Sequence, residues 1–473
     1  MNRFLPLCSV FTCLLQAGTA DLYQKDFPPE EFKARHAKVF DRIGNRAVAL
    51  VPGAPAADGF QIFRQTNDFY YLCGVETPHA YLLLDGRTRQ ATLFLPHRDA
   101  ARERNGDRFL TAEDAEVVLS LTGVHSVFGI EELSRALARM QIKTPAPALF
   151  VPHSPAEGLA ASRDELLHQM ALISSDPWDG RPSREGWLIR LLRDRYPSFD
   201  VRDLSPILDD LRLIKSEREI TLIRRASQIA SLAILQAMRS TRPGVYEYQL
   251  DAAARYVFLL NGAKHEGYPS ITAGGTNAFM GHYMRKSDQL RGGDLVLFDY
   301  APDYRYYTSD VTRMWPVNGA YSPDQRALCE FVLAYRDALI RRIKPGVTPA
   351  EILAGARNEM EKAAASLTLT KQIYRDAVRK MLDFRGHLSH PVGLTVHDVG
   401  SYDKLPLRTG LVFSVDPMMW IPEEQLYIRM EDVVVVTVDG VENFTASLAA
   451  RPSEIEKIVG KSGIVQAFPP KGR

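Results

Sequence analysis

From Glu30 the chain reads EEFKARHAKVFDRI, with apolar residues returning every three to four positions, the mark of an amphipathic helix. Short apolar runs ending in turn residues follow: RAVALVPG, FYYLCGV, AYLLLDG and ATLFLPH, each predicted as a strand. EDAEVVLSLTG and IEELSRALARM return to helical spacing, and PALFVPHS to a strand. This alternation up to about position 160 predicts a mixed α/β domain. The stretch SSDPWDGRPSR, from Ser174 to Arg184, concentrates turn formers and marks the boundary region.

The second half has a different rhythm. Ser216 and Glu219 have the spacing of a capping box, in which the serine accepts a helix amide and the glutamate reaches back. That box predicts a long helix through SQIASLAILQAMRS, stopped by Pro243-Gly244. EYQLDAAARYVFLLNG, DQRALCEFVLAYRDALIRRI and PAEILAGARNEMEKAAASL predict three more helices, the first ended by Gly262 and the second by Pro345-Gly346. Hairpin-like apolar segments lie between and after them, so this half reads as α+β, with the stretch after the last helix returning to strands.

Composition changes this picture little. The 473 residues are 45% hydrophobic and 24% charged, ordinary globular values with room for two domains and a large core. A net charge of +1 gives no whole-chain electrostatic basis for binding nucleic acid or an anionic membrane. Local basic stretches such as RKSDQLR at 285–291 read as solvated loop charge.

The first twenty residues stand apart. Arg3, the apolar run Phe4 to Leu15 and the small residues Ala17-Gly18-Thr19-Ala20 read as a cleavable secretory signal, too short for a comfortable membrane span. An uncleaved anchor or a buried start is the alternative. The signal reading implies export to the periplasm or medium of a bacterium, with no stable membrane span after processing. Cys8 and Cys13 would leave with this segment. Cys73 and Cys329 then remain, too few for a disulfide framework, and read as small buried apolar residues.

The candidate chemistry lies in five segments of the second half. Asp299 (LVLFDY) and Asp310 (DVTRMWPV) stand eleven positions apart, on segments that can form a hairpin with PDYRYYTS at its turn. Two aspartates so placed repel unless a cation lies between them; capping of turns is the alternative. His390 stands among three histidines in HLSHPVGLTVH (His387, His390, His397). Asp416 in GLVFSVDPMMWI and Glu431 in LYIRMEDVVVV are acids embedded in apolar, strand-like runs, and Arg429 could pair with Glu431 or with a neighbouring acid on the strand. A bare carboxylate in such surroundings is costly unless paired or metal-bound. Four carboxylates and one imidazole suit a pair of divalent metals. His282, in the turn-rich EGYPSITAGGTNAFMGHY, reads equally as core or site.

In this order, these segments resemble the pita-bread metallopeptidases of the aminopeptidase P and prolidase family. RQTNDFYYL carries the resemblance in the first half, and DYAPDYRYYTSDVTR, LSHPVGLTVHDVG and IRMEDVVVVT carry it in the second. The resemblance implies an N-terminal aminopeptidase-P-like domain over 21–180, a linker over 181–210 and a pita-bread catalytic domain over 211–460. It also implies hydrolysis of Xaa-Pro bonds in proline-containing peptides by two metals, usually manganese, in a homodimer or larger assembly. Carried over by position, Asp299, Asp310, His390, Asp416 and Glu431 would hold the metals, with Asp310 and Glu431 bridging. His282 and His397 would contact the substrate, Asp416 would serve as base and Arg429 would brace the site.

Three departures from the family pattern stand out. Asp416 replaces its glutamate and is about 1.5 Å shorter. Gly386-His387 inverts its His-Gly. Met418 and Trp420 replace its glycine and tyrosine. Two alternatives to an Xaa-Pro aminopeptidase stay open: a prolidase restricted to dipeptides, which chain length and site motifs do not separate from it, and, on the strength of Asp416 and the displaced His387, a weakly active or non-catalytic peptide binder on the same fold.

Overall fold

The structure, a computed structural model, describes residues 22–469 apart from 58–60, 107 and 144–146. The expected signal segment at 1–20, with Cys8 and Cys13, lies outside the described residues. The chain divides into two compact units, 1–158 with 163–211 and 159–162 with 212–473.

The first unit is built on a six-stranded mixed sheet. Its main elements are α1 (Pro29–Ile43), β1 (Ala47–Pro52), α2 (Asn67–Cys73), β2 (Tyr81–Asp85), β3 (Gln90–Leu95), β4 (Ser126–Gly129), α3 (Glu132–Lys143), β5 (Ala148–Val151), α4 (Arg163–Ser175), α5 (Arg184–Arg195), β6 (Asp200–Asp203) and α6 (Ser205–Leu213), with shorter helices at Ala100–Asn105 and, as expected from EDAEVVLSLTG, at Ala115–Thr122. The strand order is β4-β3-β2-β1-β5-β6. The β1–β2–β3 meander is antiparallel, while β4, β5 and β6 add in parallel, as expected where helices form the crossovers.

Two expectations are corrected here. FYYLCGV is a helix, α2, not a strand. All seven residues of α2 are buried, and an apolar run buried on every side loses the periodicity that separates helix from strand. Gly74 ends it in the left-handed region (φ 66°), its amide donating to the Tyr70 carbonyl at 2.7 Å. The stretch 181–210, expected as a linker, instead folds into α5, β6 and the start of α6. Its β6 pairs with β5 from Ala148↔Asp200 to Val151↔Asp203, and the stretch belongs to the first unit. Turn formers at Ser174–Arg184 punctuate that unit rather than end it.

The second unit is α+β with antiparallel sheets. Its main elements are α7 (Glu217–Ser240), α8 (Glu247–Leu260), β7 (Ile271–Gly274), β8 (Leu295–Asp299), β9 (Thr312–Pro316), α9 (Pro323–Ile340), α10 (Pro349–Ser366), α11 (Gln372–Leu382), β10 (Val412–Val415), β11 (Met418–Ile421), β12 (Leu426–Arg429), β13 (Asp432–Val436) and β14 (Val441–Asn443). Strand orders are β9-β8-β7, β10-β13-β14 and β11-β12. The capping box forms as read: the Glu219 amide donates to Ser216 Oγ, and the Ser216 amide to Glu219 Oε2 at 2.9 Å. The helix α11, absent from the sequence reading, buries Tyr374, Ala377, Val378, Met381 and Leu382 along one side. Phe298, Trp315, Phe258 and Phe413 are among the large side chains that fill the core beneath the sheets. Cys73 and Cys329 are buried and free, as expected, with burial pushing the Cys329 thiol up to about 12. No described helix is long and apolar enough to cross a membrane.

Candidate metal centre

Asp299 is the last residue of β8, opposite Thr312 of β9 and Ile271 of β7. Asp310 lies two residues before Thr312, so the hairpin brings both acids to one end of the sheet. Asp310 itself precedes the strand expected to hold it. The Tyr268 hydroxyl lies 2.6 Å from Asp299 Oδ1 and 2.8 Å from Asp310 Oδ1, clasping the pair. Sequence reasoning missed Tyr268, because nothing in a lone tyrosine outside any strand signals a carboxylate partner.

The other two acids sit at strand breaks rather than inside strands, which corrects the sequence reading. Asp416 follows the last residue of β10, and Glu431 stands between β12 and β13. The ladder between β11 and β12 pairs Met418 with Arg429 and Trp420 with Tyr427. Arg429 reaches three of the acids: Nη1 to Asp299 Oδ2, Nε to Asp416 Oδ1 and Nη2 to Glu431 Oε2, each at 2.7 Å. Thr312 Oγ1 donates to Glu431 Oε2 at 2.9 Å.

The loop 390–398 completes the cluster. His390 Nε2 is 3.3 Å from Asp310 Oδ2, and the ring of His397 lies on that of His390 with centroids 4.1 Å apart. His282 is exposed, just after Gly281 (φ 65°). Its turn adjoins β11, because Phe279 packs edge-on against Trp420 at 5.3 Å. A cavity of about 200 Å³ opens beside Asp416. Phe384, Met381, Met418 and Trp420 line it together with His387, so the inverted Gly386-His387 pair still leaves an imidazole on the wall that Asp416 shares.

The electrostatics are unbalanced in favour of negative charge. Four carboxylates face one guanidinium and one imidazole. Burial, with Asp310 nearby, pushes the Asp299 carboxyl up to about 7 against the pull of Arg429. Glu431, fully buried, is raised well above the usual range by burial, again against Arg429, with Asp310 adding to the rise. At Asp310 burial works in the same direction, but the His390 hydrogen bond and charge override it and hold that carboxyl low.

One atom of this cluster tests the fit to a metal. Glu431 Oε1 is buried and has no hydrogen-bond partner. Asp310, His390 and Glu431 each present a ligand atom within 4.8 Å of the others. A buried carboxylate with one unpaired oxygen, grouped with a second carboxylate and an imidazole, is a costly arrangement that a divalent cation relieves. The donor set therefore fits oxygen- and nitrogen-preferring divalent ions.

Fold and site together define a metal-dependent peptidase of the pita-bread class. The profile of metallopeptidase family M24 matches residues 221–438, and that of the aminopeptidase P N-terminal domain matches residues 32–146. The Xaa-Pro aminopeptidase of Escherichia coli K12 is 31% identical over 453 residues, which span 91% of this chain and 97% of the relative. The Haemophilus influenzae Xaa-Pro aminopeptidase is 30% identical over 92% of this chain and 99% of its own. Among solved structures, aminopeptidase P from Escherichia coli with the inhibitor Pro-Leu superposes with a TM-score of 0.73 at 28% identity, covering 92% of this chain and 98% of that one. The chain belongs to the aminopeptidase P family.

Proposed function

We propose that this chain is an Xaa-Pro aminopeptidase: it removes the first residue of peptides whose second residue is proline, using two divalent metal ions, with manganese the leading candidate. Asp299, Asp310, His390, Asp416 and Glu431 hold the ions. The single observation that carries this reading is the Glu431 carboxylate, buried with its Oε1 unpartnered and grouped with Asp310 and His390 within ligand distance of one another. Ions bound there supply a water acidified toward neutral pH and an electrophilic partner for the scissile carbonyl.

The protein's own groups divide the remaining work. Asp416, at the mouth of the apolar cavity, takes the proton of the attacking water and passes it to the leaving proline nitrogen. His397, fixed against His390, donates a hydrogen bond to the oxyanion that develops. Arg429 holds three acids in register, so none swings away as charge moves. His282 contacts the substrate from the turn beside Trp420. The cavity walls of Met418, Trp420 and Phe384 exclude water from the apolar part of the peptide. The enzyme acts after export, as a homodimer or larger assembly.

The test is hydrolysis of Xaa-Pro-Xaa and Xaa-Pro peptides by protein of known metal content. Cleavage of the tripeptide that disappears on chelation and returns with manganese supports the proposal. Cleavage of dipeptides alone makes the chain a prolidase. Cleavage only after Asp416→Glu makes it a peptide binder with a disabled base.

A further inference from the structure

Two of the site residues are followed in sequence by an aspartate: His397-Asp398 and Glu431-Asp432. Each of these aspartates is buried and held between two cations. Asp398 accepts from Arg212 Nη2 at 2.6 Å and Lys215 Nζ at 3.0 Å, and all three side chains are 1% exposed. Asp432 accepts from Arg313 Nη2 at 2.7 Å, and also from Arg336 Nη1 and Thr445 Oγ1. The functional reading assigns no work to either acid.

We propose that Asp398 and Asp432 are positioning residues, each fixing the backbone of the site residue before it through a two-cation clamp. This rests on the proposed Xaa-Pro aminopeptidase reading for what His397 does, but not for the geometry.

The contacts give the clamps a specific reach. Arg313, bound to Asp432, also donates from Nη1 to the Glu431 carbonyl at 2.7 Å and to the Thr312 carbonyl at 3.0 Å. It thereby ties the chain at Glu431 to β9, whose Thr312 hydroxyl holds the Glu431 carboxylate. In the other clamp the Asp398 amide donates to the Pro391 carbonyl at 2.9 Å, closing the loop that brings the His390 and His397 rings together. Thr395 Oγ1 donates to the His397 carbonyl at 3.1 Å. The loop is cut to fit this carboxylate: a Cβ at Gly393 would meet Asp398 Oδ2 at 2.1 Å and Lys215 Cε at 2.8 Å.

Charge explains the shared design. A single buried cation per acid would give a neutral pair able to rotate about one contact, whereas two cations approaching from different elements fix a carboxylate in direction as well as place. Arg212 lies near the end of α6 and Lys215 in the link from α6 to α7, while Arg313 and Arg336 come from β9 and α9. Each clamp thus ties a loop of the site to elements distant in sequence.

The two halves have different readouts. In Asp398→Asn, kcat on an Xaa-Pro-Xaa peptide falls by about 10- to 100-fold while KM and bound manganese stay at wild-type values. In Asp432→Asn, manganese affinity, measured by competition with a chelating dye, weakens by about 10- to 100-fold. Should either variant fail to fold, Lys215→Met and Arg336→Met each leave one cation on the acid and shift the same readouts in the same directions. Variants with lowered melting temperature but wild-type kcat and manganese affinity per folded molecule would overturn the proposal. A wild-type protein that binds manganese yet leaves the peptide intact rejects the functional reading alone. The metal-affinity arm then still judges Asp432. For Asp398, amide exchange over 391–398 at least tenfold faster in Asp398→Asn sustains the clamp, and unchanged exchange refutes it.

Discussion

Arg429 and Glu431 stand two residues apart and meet at 2.7 Å, Nη2 to Oε2, while the same guanidinium spends its other nitrogens on Asp299 and Asp416. Planar, forked geometry makes this possible, and lysine has no equivalent. Arg429→Lys is therefore expected to lower kcat/KM for Xaa-Pro-Xaa by about 10²-fold and to weaken metal binding, since outer partners of metal ligands contribute on this scale. Steady-state kinetics with metal titration check it; wild-type values would show that charge alone suffices.

Asp416 carries the proposed base on a side chain shorter than glutamate. Asp416→Asn keeps the shape but cannot take a proton, and is expected to reduce kcat by about 10²–10⁴-fold. Single-turnover assays at saturating peptide separate this from a change in binding.

Metal removal has a thermodynamic signature. The acids repel, and Glu431 Oε1 has no partner. Ions that bind only the folded protein add about 2.7 kcal/mol of stability at a free concentration 100 times the dissociation constant. Chelation is therefore expected to lower the melting temperature together with activity, and manganese to restore both. Calorimetry with and without chelator reads this directly.

A pH effect arises in the first unit. His36 is buried, its Nε2 donating to the Leu72 carbonyl at 2.7 Å, while Nδ1 has no partner. Burial lowers its pKa from 6.5 to about 4 despite that hydrogen bond. Between those values the unfolded chain binds a proton that the folded chain refuses. Stability from this residue is thus whole above pH 6.5 and falls as the pH drops toward 4, by about 3 kcal/mol in all. His36→Gln should flatten that part of the stability–pH curve, measured by urea unfolding between pH 4 and 7.

Gly393→Ala forces a methyl group to within 2.1 Å of Asp398 Oδ2. Overpacking of this kind costs about 1–3 kcal/mol. The expected result is a lower urea midpoint with an unchanged slope, and the substitution is worst tolerated if Lys215 cannot move.

Much of this was legible in the chain. Amphipathic spacing marked α1 and α8, Ser216 and Glu219 marked the start of α7, and the acids at 299, 310, 416 and 431 stood out because apolar neighbours made them costly. The misreadings have physical causes. FYYLCGV lost its periodicity because every side chain of α2 is buried. The expected linker at 181–210 looked separate because its strand pairing to β5 is long-range and leaves no local mark.

By itself, the sequence determined which segments could form elements and which acids needed a partner, because those follow from spacing and the cost of burying charge. Beyond the Arg429–Glu431 pair, which the sequence already offered, only the tertiary structure decided who the partners are. Tyr268 between two aspartates, Arg429 across three acids and the paired cations on Asp398 and Asp432 join residues up to 186 positions apart. Such contacts arise from the three-dimensional path of the chain, on which no local pattern bears.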